Sequence, residues 1–164
     1  MKIRKIEHLG IGVPNLEEAL KLYRDALGFP VADLELLADM KLKVIKVQAG
    51  DTVLELLEPL PGETVISKFL AERKGGIHHI CFEVDNVMAA TAELAAKGYE
   101  PFWPEPRPGA GGRLVNFLRP KQTGGVLIEF NQPTVRPASS PRQPTVGGPP
   151  PDSTGRTRGF PPPV

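Results

Sequence analysis

The amino-acid sequence predicts an α+β domain built from two tandem βαβββ modules. Three observations support this: an internal repeat, a change of hydrophobic period within each copy, and a sharp change of composition. The segment 6–19 recurs as the segment 77–90 at an offset of 71 residues. Within each copy, apolar residues first alternate, then recur at helical spacing, then alternate again. Proline becomes abundant from residue 133, so the domain is expected to span residues 1–132, with modules at about 3–59 and 75–131.

The repeat is anchored by four landmarks that recur in the same order. The pairs are His8 with His79, Asn15 with Asn86, Gly28 with Gly98, and Glu55 with Glu129. Their offsets are 71, 71, 70 and 74 residues, a drift of only a few positions. Such agreement is hard to produce by chance and indicates two copies of one supersecondary unit.

Each copy has the same predicted elements. An alternating strand at 5–13 or 77–84 is followed by Asn15 or Asn86, which suits a helix N-cap. Each helix is expected to end near Gly28 or Gly98, where glycine accepts a left-handed backbone. Strands follow at 41–48 and 52–58, and at 114–118 and 125–130, with weaker ones at 31–37 and 101–104. A further helix at 64–70 is expected to link the two copies.

The segment 133–164 predicts a disordered tail. It carries ten of the nineteen prolines, with four arginines and one aspartate, and has little to bury. Proline donates no backbone hydrogen bond, which disfavours packed structure. The tail is either a solvated appendage or a docking segment for a proline-recognising or acidic partner.

Charge and hydropathy exclude several classes of protein. The formal net charge is +1, which predicts no binding to nucleic acid. No apolar run is long enough to cross a membrane, and charges interrupt the N-terminus, so neither a membrane association nor a signal peptide is expected. The single cysteine, Cys81, lies in an apolar strand and is interpreted as a small buried residue in a cytoplasmic protein.

Two histidines and two glutamates predict a metal site. His8 and His79 are equivalent in the repeat, as are Glu55 and Glu129, and both glutamates stand between large apolar residues. A carboxylate so placed needs a compensating charge. Two imidazoles and two carboxylates make a mixed site suited to Co, Zn, Ni, Mn or Fe. His78 is expected on the face opposite His79, where it either supports a ligand or faces solvent.

The chain resembles the vicinal oxygen chelate superfamily (glyoxalase, bleomycin resistance and extradiol dioxygenase proteins), and within it most closely the methylmalonyl-CoA epimerase family. The segments that carry the resemblance are His8-Leu-Gly-Ile-Gly-Val-Pro, Glu55-Leu-Leu-Glu-Pro, Gly76-Ile-His-His-Ile-Cys-Phe-Glu-Val, Gly109-Ala-Gly-Gly and Asn116-Phe-Leu-Arg-Pro-Lys-Gln-Thr-Gly-Gly-Val-Leu-Ile-Glu129. It covers residues 3–132 and none of the tail. The fold it implies is a curved, cup-like mixed sheet around the metal site.

The resemblance also implies a reaction. A divalent ion such as Co, Zn, Ni, Mn or Mg on His8, Glu55, His79 and Glu129 would promote 1,1-proton transfer that interconverts (R)- and (S)-methylmalonyl-CoA, with Glu129 as one proton carrier. The family takes its second carrier from an acid on the strand predicted here at 41–48, which has none; Lys43, Asp39 or water are the candidates. A homodimer is also implied by analogy.

Binding of the acyl-CoA is assigned to cations after the glycine-rich loop. Arg113 and Lys121 are the candidate substrate-binding residues, although solvated charges beside an ordinary turn would look the same. Two other functions fit the superfamily: a glyoxalase-I-like lactoylglutathione lyase that uses the same four ligands, and a metal-free binding protein of the bleomycin-resistance type.

Overall fold

The computed structural model describes residues 1–109 and 112–132, so the predicted tail lies outside the described residues. Eight strands form one curled mixed sheet in the order β2-β3-β4-β1-β5-β8-β7-β6. They are β1 (Ile3–Gly12), β2 (Glu35–Leu37), β3 (Leu42–Ala49), β4 (Thr52–Pro59), β5 (Gly76–Val84), β6 (Arg107–Pro108), β7 (Leu114–Leu118) and β8 (Leu127–Gln132). The predicted α+β class with a cup-like sheet is confirmed.

Three helices accompany the sheet: α1 (Leu16–Leu20), α2 (Val65–Arg73) and α3 (Val87–Ala96). The Asn15 and Asn86 side chains accept hydrogen bonds from the third residue of α1 and α3, so both predicted N-caps are confirmed. Thr64 caps α2 in the same way, and its backbone N–H donates in return to Oγ of Ser67. No helix in the described ranges is long and apolar enough to cross a membrane.

The pairing of the strands repeats between the halves. β1 pairs with β4 in parallel, and β5 pairs with β8 in parallel, each within its own half. The antiparallel pairing of β1 with β5 then joins the halves at the centre of the sheet. The four central strands therefore carry the two histidines and the two glutamates of the repeat side by side.

Helices α1 and α3 cover one face of the sheet. The buried Leu16 and Leu20 of α1 pack on Ile45, Val47 and Leu56. In the second half, Val87, Ala90 and Leu94 of α3 pack with Val84, Leu118 and Phe130. Alternation along each strand sends the intervening residues to the opposite, concave face. Glu55 and Glu129, next to Leu56 and Phe130, belong to that face.

Two weaker predictions were inaccurate at the edges. The segment predicted as a strand at 101–104 forms a single bridge from Pro101 to Leu118, and the edge strand instead comprises Arg107–Pro108. The strand predicted at 31–37 is limited to Glu35–Leu37 plus one bridge at Val31. The first helix continues beyond α1 as a π-helix over Lys21–Ala26 before the left-handed Gly28. Edge strands form few hydrogen bonds, so the residues within them determine their bounds only weakly.

Candidate metal centre

The four predicted ligands come from the four central strands. His8 lies on β1, Glu55 on β4, His79 on β5 and Glu129 on β8. His8 and Glu129 both align with Cys81 in the register of the sheet, which places their side chains on the same face. Because β1, β4, β5 and β8 are neighbours, the concave face brings together residues that are up to 121 positions apart.

The donor atoms of these side chains converge. The Nε2 atoms of His8 and His79 are 2.9 Å apart. Oε2 of Glu129 lies 3.8 Å from Nε2 of His8 and 3.5 Å from Nε2 of His79, and Oε2 of Glu55 lies 3.6 Å from Nε2 of His8. His8, His79 and Glu129 are all buried and form a group able to hold a metal ion.

The arrangement fits a divalent metal ion. Nitrogen and oxygen ligands bind such ions at about 2.0–2.2 Å, which leaves neighbouring donors about 3–3.5 Å apart. The separations here match that spacing, and two imidazoles with two carboxylates suit a borderline metal. Two buried imidazole nitrogens facing each other also share at most one proton between them, whereas an ion would satisfy both.

A small residue beneath each histidine makes room for its ring. Across the β1–β5 pairing, His79 lies opposite Gly10 and His8 lies opposite Cys81. A Cβ atom built on Gly10 would overlap the imidazole of His79. Gly10 and Cys81 are themselves equivalent in the repeat, so the approximate twofold relation of the halves is preserved in this packing. The prediction that Cys81 is a buried core residue agrees with its complete burial.

Bulges place a polar side chain against the outer nitrogen of each histidine. The β1–β5 register skips Glu7 on β1 and His78 on β5. The Glu7 carboxylate bonds Nδ1 of His8, and Nδ1 of His78 lies 2.9 Å from Nδ1 of His79. The expectation that His78 lies on the face opposite His79 was wrong, because it assumed regular alternation, whereas the alternative that His78 supports a ligand agrees with this contact. Glu7 was missed for the same reason, although it occupies the position equivalent to His78.

Burial and charge shift the pKa values at this site. Burial raises the pKa of Glu129 to about 7, against the opposing effect of His8. Burial lowers the pKa of His79 to about 3, helped by the charges of His8 and His78. Burial alone would lower the pKa of His8, but Glu7, Glu55 and Glu129 raise it above its ordinary value. Burial thus makes the ionised form of Glu129 unfavourable, and a bound cation would offset that cost.

One lysine of β3 belongs to the site and another does not. Lys46 pairs with Glu55 in the β3–β4 register, and its Nζ lies 3.7 Å from Oε1 of Glu55. Lys43 lies on the opposite face, where its Nζ donates to Glu58 at 2.8 Å. Asp39 lies in an exposed 3-10 turn beside β2. Of the three named β3-region side chains, only Lys46 approaches the ligands, and sequence reasoning did not single it out.

The two candidate substrate-binding cations each have a carboxylate partner. Arg113 donates to Oε1 of Glu7 at 2.5 Å, and Nζ of Lys121 lies 3.4 Å from Glu100 at an exposed position. Beside them, Phe117 pairs with Glu129 and so faces the site, and Trp103 contacts the ring of Phe117 edge to face at 5.5 Å. This aromatic wall was not anticipated from the sequence, in which its members have no shared pattern.

The fold and the four converging side chains indicate a class of protein, and comparison identifies it. The chain belongs to the glyoxalase/bleomycin resistance protein/dioxygenase superfamily, whose family model matches residues 7–117. Several of its relatives within the superfamily are named as epimerases. The mitochondrial methylmalonyl-CoA epimerase of Mus musculus is 42% identical over 132 residues, which cover 80% of this chain and 74% of the relative.

Two further relatives agree. The ethylmalonyl-CoA/methylmalonyl-CoA epimerase of Cereibacter sphaeroides is 39% identical over 79% of this chain and 98% of its own length. A variant of Streptomyces coelicolor methylmalonyl-CoA epimerase, in complex with 2-nitronate-propionyl-CoA, superposes with a TM-score of 0.74 at 31% identity, covering 82% of this chain and 97% of that chain. The predicted resemblance is confirmed, and so is the prediction that the chain is an isomerase.

Proposed function

We propose that this chain interconverts (R)- and (S)-methylmalonyl-CoA by 1,1-proton transfer, with a divalent metal ion held by His8, Glu55, His79 and Glu129. The observation that carries the proposal is the convergence of the four donors on the concave face. The names of the relatives support the substrate, because each acts on a methylmalonyl thioester of coenzyme A. A bound ion would polarise the thioester carbonyl and offset the charge that develops when the α-proton leaves.

Glu129 serves as one proton carrier. Its carboxylate is buried beside His8 and His79, with Oε2 at 3.8 and 3.5 Å from their Nε2 atoms. A carboxylate oxygen that does not bond the ion can accept and return a proton. The aromatic wall of Phe117 and Trp103 gives the site an apolar lining beside Glu129.

Lys46 serves as the second proton carrier. Inversion at one carbon requires two groups on opposite sides of the substrate. Glu129 lies on β8 and Lys46 on β3, so the sheet order places β4, β1 and β5 between them. The ammonium group of Lys46 is held near the ligands by Glu55 and Glu35, at 3.7 and 3.6 Å. The side chain is still 46% exposed, which leaves it room to reach a substrate.

Deuterium exchange tests the assignment of Glu129 and Lys46 as the two proton carriers. Each epimer of methylmalonyl-CoA is incubated in deuterated water with the metal-loaded protein, and both inversion and α-deuterium incorporation are measured. The wild-type protein should invert both epimers with incorporation of solvent deuterium. Lys46→Gln should lose inversion by about a hundredfold or more while still exchanging the α-proton of one epimer at Glu129.

Lys43→Gln is the matched control, since it removes the same charge from the same strand on the other face. It should retain both inversion and exchange. Equal activity of Lys46→Gln and Lys43→Gln would rule out Lys46 as the second carrier. Absence of inversion by the wild-type protein with every divalent metal tested would contradict the proposed function itself.

Two further assignments belong to the same proposal. The acyl-CoA substrate is expected to bind through Arg113 and Lys121: Lys121 would exchange Glu100 for phosphate, and Arg113 would donate from the guanidinium N–H groups that do not bond Glu7. The chain is expected to act as a homodimer, which light scattering at several concentrations would measure.

A further inference from the structure

The two histidine ligands differ in the group that contacts Nδ1, the ring nitrogen that faces away from the metal site. Both outer partners occupy bulge positions that are equivalent in the repeat, yet one is the carboxylate of Glu7 and the other the imidazole of His78. His78 also contacts the ring of Phe69, at 5.2 Å between centroids. Glu7 instead also bonds a second charged side chain, that of Arg113.

Glu7 is fixed from two sides. One carboxylate oxygen, Oε2, bonds Nδ1 of His8, and the other, Oε1, accepts a hydrogen bond of 2.5 Å from the guanidinium of Arg113. The side chain of Glu7 is only 14% exposed, so both bonds form largely away from water. Charge-assisted hydrogen bonds in such surroundings are short and directional. Arg113, Glu7 and His8 thus form a continuous chain that ends at the metal-facing nitrogen.

We propose that Glu7, held by Arg113, is the positioning residue for His8: it keeps the proton on Nδ1 and aims Nε2 at the metal ion. A carboxylate that accepts from Nδ1–H stabilises that tautomer and leaves the lone pair on Nε2 free to coordinate. It also makes the imidazole a stronger donor. The proposal rests on the proposed function for the presence of a metal, and it assigns Arg113 a structural task in addition to any contact with substrate.

Metal affinity provides the first test. Full-length wild-type protein and variants are titrated with Co²⁺, and binding is followed by visible absorption. Glu7→Gln should weaken binding by about 10- to 100-fold, the usual effect of removing an outer partner of a histidine ligand. Arg113→Gln should also weaken Co²⁺ binding, but by a smaller factor, because Glu7 remains. Unchanged affinity in Glu7→Gln would overturn the proposal.

Glu83→Gln is the matched control for charge. Glu83 lies on β5, two residues beyond Cys81 on the concave face, and is 15% exposed, but its recorded partner is Lys5 and not a histidine. If Glu7 acts only through its negative charge, the two variants should weaken Co²⁺ binding equally, and that result would contradict a positioning role. A loss confined to Glu7→Gln supports the proposal.

The tautomer of His8 provides a readout that does not depend on metal or activity. Long-range ¹⁵N–¹H correlation spectra of the metal-free protein at alkaline pH, where the ring is neutral, should show the proton of His8 on Nδ1. In Glu7→Gln the spectrum should shift toward a mixture of tautomers. A wild-type His8 that carries its proton on Nε2 would refute the proposal even if the enzyme were active. Conversely, a protein that bound no metal but kept the Nδ1 tautomer would contradict the proposed function alone.

Discussion

At the scale of single residues, the site depends on space as much as on ligands. The imidazoles of His8 and His79 contact each other with interplanar angle 86° in a T-shaped arrangement, and each lies over the neighbouring central strand. Gly10 and Cys81 are the positions beneath them. Any larger side chain there would displace a ring, and closely packed interiors do not absorb such a displacement without cost.

Gly10→Ala should therefore weaken metal binding. The added methyl group would overlap the ring of His79, so the ring must rotate away from His8 and Glu129. We expect Co²⁺ affinity to fall at least about tenfold, since misplacing a ligand costs as much as losing its outer support. Titration with Co²⁺ measures this loss.

Gly12→Ala is the control for that variant. Its added Cβ would meet the ring of Phe69 at 3.0 Å and the side chain of Leu70 at 3.7 Å, neither of which is a predicted ligand. It should keep wild-type affinity for Co²⁺ even if it loses some stability. Equal loss of affinity in both variants would show that β1 tolerates no methyl group, and the argument from the ring of His79 would fail.

At the scale of elements, the first helix depends on a residue from the sheet. Only Leu16–Leu20 is α-helical before the π-helical Lys21–Ala26, and so short a helix has little stability of its own. Asn15, directly before the helix, caps it by accepting the backbone N–H of Glu18 at 2.9 Å. Glu58 at the end of β4 caps it from outside, accepting the backbone N–H of Leu16 at 2.7 Å while Lys43 donates to its other oxygen at 2.8 Å.

Glu58→Gln should destabilise the protein by about 1–2 kcal/mol at neutral pH, because both hydrogen bonds lose their charge. Burial alone would raise the pKa of Glu58, but Lys43 and the Leu16 N–H lower it below its ordinary value of 4.5. The stabilisation is thus complete above that value and disappears as the pH falls through the lowered pKa. Urea unfolding over a pH series should show the wild type and the variant converging in acid. A difference independent of pH would contradict the role of the carboxylate charge.

At the scale of the whole molecule, the site joins the two halves. His8 and Glu55 belong to the first half, and His79 and Glu129 to the second. The only extended contact between halves in the described residues is the pairing of β1 with β5, where the site lies. A ligand that contacts both halves stabilises their association as well as each fold.

Metal binding should therefore raise the stability of the entire domain. Co²⁺ at a hundred times its dissociation constant should add about 2.7 kcal/mol to the free energy of unfolding. Thermal unfolding should stay a single transition that moves to higher temperature with Co²⁺ and returns with a chelator. His79→Ala should show no comparable shift, and a shift of equal size in that variant would place the bound metal elsewhere.

Much of the fold and of the candidate site could be predicted from the sequence, because each half of the repeat can be checked against the other. The pairing of His8 with His79 and of Glu55 with Glu129 selected the four donors that the structure brings together, and Asn15 and Asn86 marked the helix starts. Caps, alternation and repeats are local signals, written within a few residues or at a constant offset. The edge strands carry no such signal, and their predicted positions were inaccurate.

The amino-acid sequence by itself determined the duplicated βαβββ module, the family and the four side chains proposed as ligands. Only the tertiary structure decided which other side chains reach them. Bulges between β1 and β5 turned Glu7 and His78 toward the histidines, and cross-strand register placed Lys46, not Lys43, beside Glu55. The physical reason is that a register shift of one residue reverses the face of a side chain, and register is set by the partner strand, not by the strand's own residues.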